Sequence, residues 1–247
     1  MLNNEQIAIY EIENVRVPIP NRSYDQTHGV SMCCIILNEE AGIVEFLKYH
    51  KPYFKEIIMV DLGSTDRTIE LATPLIDSII LYKQDGHHSN ALNRVLEKVT
   101  NNWTFLIDCD ERIGVEILRG LDSLINQEEY DCYALARRNF IDGEPDSALP
   151  MDYQDRLFRS YCRMVRPVHQ ELVGYKSKKQ LPNTDGMCMM HRKRANRHIL
   201  RNIGYTLYEY KFKNEMGGPG NQTKDTFTKE YPQLTWDMVM EKIREGQ

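Results

Sequence analysis

Short apolar runs alternate with amphipathic stretches through the first half of the chain. Residues 30–37 (V-S-M-C-C-I-I-L), 57–60, 78–82 and 103–107 are compact apolar runs that stop abruptly at polar residues. Runs of this kind predict buried strands. Between them the apolar spacing becomes helical. Ile43, Phe46, Leu47, His50 and Phe54 share one helical face, and so do Leu92, Val95, Leu96 and Val99. His50 reads as a core-edge histidine, its polar tip on an apolar stem, rather than as a ligand. Asn38 is placed to cap the first helix, with Glu39 and Glu40 favouring its dipole. Ser64 or Thr65 is placed to cap a second helix that Pro74 ends. The resulting β-α-β-α-β-α-β order with short links implies an α/β fold with a mostly parallel sheet and right-handed crossovers.

The second half is less regular. A helix is predicted over 115–125 and a strand over 131–140, then a Gly- and Pro-containing loop over 142–150. Tyr153 to Arg159, Val168 to Leu172 and an apolar strand from Met187 to His191 follow. Residues 196–213 read as an amphipathic helix, 217–221 as a break and 236–243 as a short closing helix. Before residue 30 only 7–17 shows alternation, which suits an edge strand or hairpin. Three segments are expected: an extension at 1–29, a main domain at 30–213, and a loop and helix at 214–247.

Composition narrows the class. Charged residues are 27% and hydrophobic ones 41% of 247, as in an ordinary globular protein. No apolar run approaches the roughly 20 residues that span a bilayer. Met1-Leu2-Asn3-Asn4-Glu5 lacks a signal-peptide pattern, and the six cysteines form no C-x-x-C pair. Reduced cysteines in a cytoplasmic protein are expected. Net charge is −5, but residues 156–201 carry 12 Lys or Arg against only Glu171 and Asp185, which makes that window +10 and the remainder −15. Such a window is either a solvated face or a site for a polyanion, diphosphate or nucleic acid.

The candidate chemistry collects at predicted strand tips, where ligands of open α/β sheets sit. The run ending at Ile107 leads into Asp108-Cys109-Asp110-Glu111. Clustered carboxylates there suit a hard divalent metal, although an acidic surface turn has the same composition. The strand at 57–60 leads into Asp61-Leu62-Gly63-Ser64-Thr65-Asp66-Arg67-Thr68. A strand-turn-helix of this type frees backbone N–H groups for a nucleotide. Asp61 can accept from a base or ribose, and Asp61 and Asp66 can equally serve as turn and cap residues.

These pieces together resemble glycosyltransferase family 2, enzymes of the GT-A fold. The matching residues are Asn38-Glu39, Val60-Asp61-x-Gly63-Ser64-Thr65-Asp66-x-Thr68, Asp108-Cys109-Asp110-Glu111, Arg156-Leu157-Phe158-Arg159, Val168-His169 and His191. The resemblance implies a Rossmann-like, mostly parallel sheet with helices on both faces, here with a C-terminal helical tail. It implies that Asn38, Glu39 and Asp61 line the nucleobase and ribose pocket, with Ser64, Asp66 and Asn93 beside them. Asp108 and Asp110 match the family's D-x-D motif, whose last acid usually ligates Mn²⁺ or Mg²⁺ between diphosphate oxygens. His191 resembles an additional metal ligand. Three departures stand out: Leu92-Asn93 replaces a common Arg-Asn, His169-Gln170-Glu171 shifts a common His-Glu, and the tail beyond about residue 214 has no match.

Glycosyl transfer needs a neutralised diphosphate, a general base and a pocket that fixes the anomeric carbon. Arg194 and Arg197 in the basic segment can face the diphosphate. Glu171 is the expected base, with His169 and Asp155 behind it. His169 can instead orient a loop, and Arg156 and Arg159 can be cross-strand ion-pair formers. The expected reaction moves a sugar with inversion from a nucleotide sugar, a UDP-sugar first, to an acceptor hydroxyl. A saccharide or lipid-linked saccharide is the favoured acceptor, with a nucleic-acid base as another. A nucleotidyltransferase would need an early Gly-rich phosphate loop that Asn38-Glu39-Glu40 does not supply. A non-catalytic sugar- or nucleic-acid-binding module would not need the D-x-D acids.

Overall fold

The computed structural model describes residues 8–12, 29–83, 85–195 and 205. Arg197 and the expected helix and tail elements beyond residue 195 lie outside the described residues, Tyr205 excepted.

The elements, in chain order, are β1 (Ala8–Ile12), β2 (Val30–Ile36), α1 (Ile43–His50), β3 (Glu56–Asp61), α2 (Thr68–Ala72), β4 (Ser78–Tyr82), α3 (His88–Leu96), β5 (Trp103–Leu106) and β6 (Glu111–Ile113). They continue with α4 (Val115–Arg119), α5 (Leu121–Ile125), β7 (Cys132–Ile141), β8 (Glu144–Pro145), β9 (Met151–Arg159), β10 (Arg163–Val165), β11 (Glu171–Val173), β12 (Lys178–Gln180) and β13 (Cys188–Lys193).

Eleven strands form one sheet in the order β1-β4-β3-β2-β5-β9-β7-β13-β6, with β8 and β12 also on β7. Pairing is parallel from β1 through β5. β9 then enters antiparallel between β5 and β7, and β6 lies antiparallel on β13. The expected mostly parallel α/β sheet is therefore present, and the segment expected as an edge strand does hold an edge, at β1.

Side-chain alternation along the buried strands divides the core in two. Met32, Cys34, Ile36, Ile57 and Met59 pack with Phe46, Leu47, Ile117 and Leu121 on the face of α1, α2, α4 and α5. Cys33, Ile58, Val60 and Leu106 pack with Leu92, Val95 and Leu96 of α3 on the other. At roughly 25 cal/mol per Å² of apolar surface removed from water, this double burial is the main term holding the strand tips in place.

Two helix starts differ from expectation. Asn38 has φ 53 and sits in a tight turn, and α1 begins at Ile43 with no side-chain cap. Asparagine tolerates this left-handed geometry because its short side chain bonds locally. Neither Ser64 nor Thr65 caps α2; Asp66 Oδ1 accepts from the Thr68 N–H at 2.9 Å. The helix expected over 115–125 is two short ones, α4 and α5, because the chain leaves helical geometry at Gly120 (φ −91, ψ 1).

Candidate active site

The tips of β2 and β3 are laced together. The Asn38 N–H donates to Ser64 Oγ at 2.9 Å, and Asn38 Oδ1 accepts from the Thr65 N–H at 2.8 Å. The Glu39 N–H donates to Thr68 Oγ1 at 2.6 Å and the Glu40 N–H to Asp66 Oδ2 at 3.1 Å. Against the upward push of desolvation, hydrogen bonds from Thr68 and Glu40 hold the Asp66 carboxyl below its ordinary range. So Asn38, Ser64 and Asp66, expected at the donor site, tie the two strand-tip loops to each other. Asp61 is 1% exposed. Its Oδ2 accepts from the Gly63 and Ser64 N–H groups at 2.8 and 2.9 Å, and Gly63 supplies the φ of 101 that this turn requires. Asp61 Oδ1 is buried and accepts no hydrogen bond, a costly state that a ligand N–H or O–H would relieve.

The acidic tip after β5 is held by arginines. Glu111 is fully buried, and Arg156 Nη2 donates to its Oε1 at 2.6 Å and to Asp108 Oδ2 at 3.1 Å. Arg137 adds a 3.4 Å contact to Glu111 Oε1 and grips Asp152 with Nε at 2.9 Å and Nη2 at 2.6 Å. Glu111 Oε2 accepts from the Asp108 N–H at 3.0 Å, closing the turn. Burial pushes the Asp108 carboxyl up, but the Arg156 guanidinium outweighs it and leaves Asp108 below its ordinary range. Burial pushes Glu111 up, against the same guanidinium.

Asp110 faces His191. Their Oδ2 and Nε2 are 3.3 Å apart, and the Arg192 N–H donates to the Asp110 carbonyl at 2.8 Å. The register that puts His191 opposite both Glu111 on β6 and Asn139 on β7 brings residues 81 apart in sequence together. Asp108, expected as a third metal ligand, is in contact with Arg156 at 3.1 Å. Among the described residues no three His, Cys, Asp or Glu side chains form a metal cluster. Asp110 and His191 are the expected ligands that the fold brings face to face.

α3 clamps the segment that carries the base candidates. Asn93 Nδ2 donates to the Met164 carbonyl and Asn93 Oδ1 accepts from the Met164 N–H, both at 2.9 Å. Asn93, expected at the donor site, has its amide engaged here. The His88 N–H donates to the Pro167 carbonyl at 2.9 Å, and Ser89 Oγ donates to the Arg166 carbonyl. His169 has φ 50 and its ring centroid lies 5.7 Å from that of Tyr205. Glu171 is 55% exposed at its side chain and pairs with Arg166 at 2.9 Å. Asp155 accepts from Lys178 Nζ at 3.2 Å.

Four of the twelve cations of the basic window meet acids outside it. Arg156 meets Asp108 and Glu111, Lys178 meets Asp155, and Lys193 meets Asp146 at 3.0 Å. Arg159 lies 4.3 Å over the Trp103 ring and 3.9 Å from Asp131. Arg194 is exposed just beyond β13. Sequence reasoning did not assign Glu111, Arg137, Asn139 or Asp152 to the site. The polar Arg137-Arg138-Asn139 triplet inside the apolar run of β7 was a visible signal, but its partners depend on strand register.

Comparison with known proteins places this geometry. The chain is 29% identical over 143 residues to a TPR repeat-containing protein of Synechococcus elongatus, covering 57% of this chain and 34% of that one. It is 32% identical over 97 residues to the SPbeta prophage-derived glycosyltransferase SunS of Bacillus subtilis, covering 38% and 23%. The chain thus spans 34% and 23% of the length of these relatives. Residues 1–349 of S. aureus TarS, solved in complex with UDP-GlcNAc, superpose with a TM-score of 0.51 at 15% identity, covering 83% of this chain and 73% of that one. That likeness shows the fold, GT-A. The model of glycosyl transferase family 2 matches residues 31–200, which hold every strand from β2 through β13 and all the strand-tip acids. This chain belongs to glycosyl transferase family 2.

Proposed function

We propose that this domain transfers a hexosyl or pentosyl group from a nucleotide sugar, a UDP-sugar, to an acceptor hydroxyl in one inverting displacement. The observation that carries the reading is the facing of Asp110 and His191, 3.3 Å apart, on the same end of the sheet as the orphan oxygen of Asp61. Family membership supports the reaction class, and the UDP-GlcNAc held by the TarS domain supports the choice of uridine.

Asp61 would accept from the base or ribose and fix that end of the donor. Asp110 and His191 would hold a divalent metal, since one carboxylate and one imidazole leave the remaining positions to phosphate oxygens and water. Bound there, Mn²⁺ or Mg²⁺ would neutralise charge developing on the departing diphosphate. Arg156 keeps Asp108 and Glu111 paired, and Arg194 and Arg197 are the cationic candidates for the diphosphate. The acceptor oxygen would attack the anomeric carbon as the bond to the diphosphate oxygen breaks. Its proton would pass to Glu171, with His169 and Asp155 as the other candidates. A saccharide or lipid-linked saccharide is the proposed acceptor.

A panel of nucleotide sugars, scored for hydrolysis and for thermal stabilisation with and without Mn²⁺, tests the proposal. A UDP-sugar should stabilise the protein in a metal-dependent way, EDTA should abolish turnover, and Asp110→Ala should do the same without unfolding the protein. Full turnover in EDTA would sink the metal assignment.

A further inference from the structure

His191 has its two ring nitrogens in different company. Nδ1 lies 2.8 Å from Asn139 Oδ1, and Nε2 lies 3.3 Å from Asp110 Oδ2. Asn139 is fully buried on β7. Its Nδ2 lies 3.3 Å from Asp152 Oδ1 and 3.5 Å from the Arg137 carbonyl. A carboxylate and a carbonyl only accept, so the amide nitrogen must be the atom that faces them. The amide oxygen then faces His191, and an acceptor at that distance calls for a proton on Nδ1. Asp152 cannot turn away, because Arg137 grips both its oxygens at 2.9 and 2.6 Å.

With Nδ1 protonated, the neutral ring presents the Nε2 lone pair to the Asp110 carboxylate. Two acceptors 3.3 Å apart repel unless a proton or a metal cation lies between them. The opposite tautomer would satisfy Asp110 but set a bare Nδ1 against the Asn139 oxygen, with no water in reach of that fully buried amide to compensate. We propose that Asn139, oriented by Asp152, is a positioning residue: it selects the Nδ1–H tautomer of His191 and so presents the Nε2 lone pair, together with Asp110, to a divalent cation. The inference rests on reading Asp110 and His191 as the metal pair. It adds the buried polar side chains that make the histidine competent before any metal arrives, a device that sets ligand orientation and basicity.

Long-range ¹H–¹⁵N correlation spectra of metal-free, ¹⁵N-histidine-labelled protein at pH 8 read the tautomer directly. His191 is assigned by its loss in His191→Gln. Wild type should show a protonated Nδ1 and a bare Nε2. Asn139→Leu should move the proton to Nε2, where it can donate to Asp110, and should weaken Mn²⁺ binding by about 10–100-fold in calorimetry. A proton on Nε2 in wild type would overturn the proposal, and this result needs no variant to fold. So would an Asn139→Leu protein that keeps the Nδ1–H tautomer and wild-type Mn²⁺ affinity. If the tautomer switches as expected but neither protein binds Mn²⁺, the positioning role stands and the metal reading of the site fails.

Discussion

At the scale of single residues, burial decides which ionisable groups are free to act. His50 is fully buried, its Nδ1 2.9 Å from the Phe46 carbonyl and its Nε2 3.3 Å from the Ile113 N–H. A neutral ring satisfies both contacts, donating from Nδ1 and accepting at Nε2. Burial lowers its pKa from 6.5 to about 4. A base with a depressed folded pKa stabilises the fold above its unfolded value and loses that contribution as pH falls. Relative to His50→Gln, wild-type stability in urea should therefore decline between about pH 6.5 and pH 4, by on the order of 3 kcal/mol in all. A pH-independent difference would show that the ring is not held neutral. The base candidate makes a sharper test of chemistry. Glu171, exposed and paired with Arg166, has no structural burden that its loss would disturb. Glu171→Gln should lower turnover by about 10²-fold or more with donor affinity nearly unchanged. Near-normal turnover in that variant, with loss in Asp155→Asn or His169→Ala, would move the base to one of those side chains.

At the scale of elements, a bulge in β9 aims Arg156. Leu157 pairs with Tyr133 and Asp155 with Ala134, so Arg156 is the extra residue in its ladder. A bulge redirects a side chain that regular alternation would place elsewhere. Here it lets one guanidinium reach both Asp108 and Glu111. Arg156→Met removes the cation and leaves Glu111 Oε1 with the longer Arg137 contact in its place. Breaking a buried pair this way should cost about 3–5 kcal/mol in chemical denaturation, and adding Glu111→Gln should recover part of it. The junction of β6 and α4 is equally exacting. A Cβ on Gly114 would stand 2.1 Å from the Gly186 carbonyl oxygen, backbone that cannot step aside. Gly114→Ala should lower the melting temperature markedly by forcing β6 from β13.

At the scale of the whole molecule, linear charge and spatial charge disagree. The +10 window from 156 to 201 reads as a polyanion surface along the chain. In space Arg156, Arg159, Lys178 and Lys193 meet acids from outside it. Gel shifts with duplex and single-stranded DNA should therefore show no affinity beyond the non-specific range of about 10⁻⁴–10⁻⁶ M at physiological salt. Tighter binding that falls steeply with added salt would reinstate a nucleic-acid acceptor. Among the described residues no helix is long and apolar enough to cross a membrane.

The one-dimensional pattern determined the buried strands β2 to β5, β7 and β13, a mostly parallel sheet, the faces of α1 and α3, and the strand tips where acids collect. These follow from local apolar spacing and from the rule that buried strands end at polar residues. It did not determine which partner each of those acids would meet. Asp108 and Asp110 are equivalent in the sequence, yet one faces Arg156 and the other His191. Asn93 looks like a donor-site residue in the sequence and is a clamp on Met164 in the fold. The helix caps at Asn38 and Ser64 were displaced by bonds between two loops about 26 residues apart. The chain of contacts from Asp110 through His191, Asn139, Asp152, Arg137 and Glu111 to Arg156 joins four strands and the β5–β6 turn. Only strand register and a single bulge bring these groups within hydrogen-bond reach, and only burial forces each donor to find its acceptor.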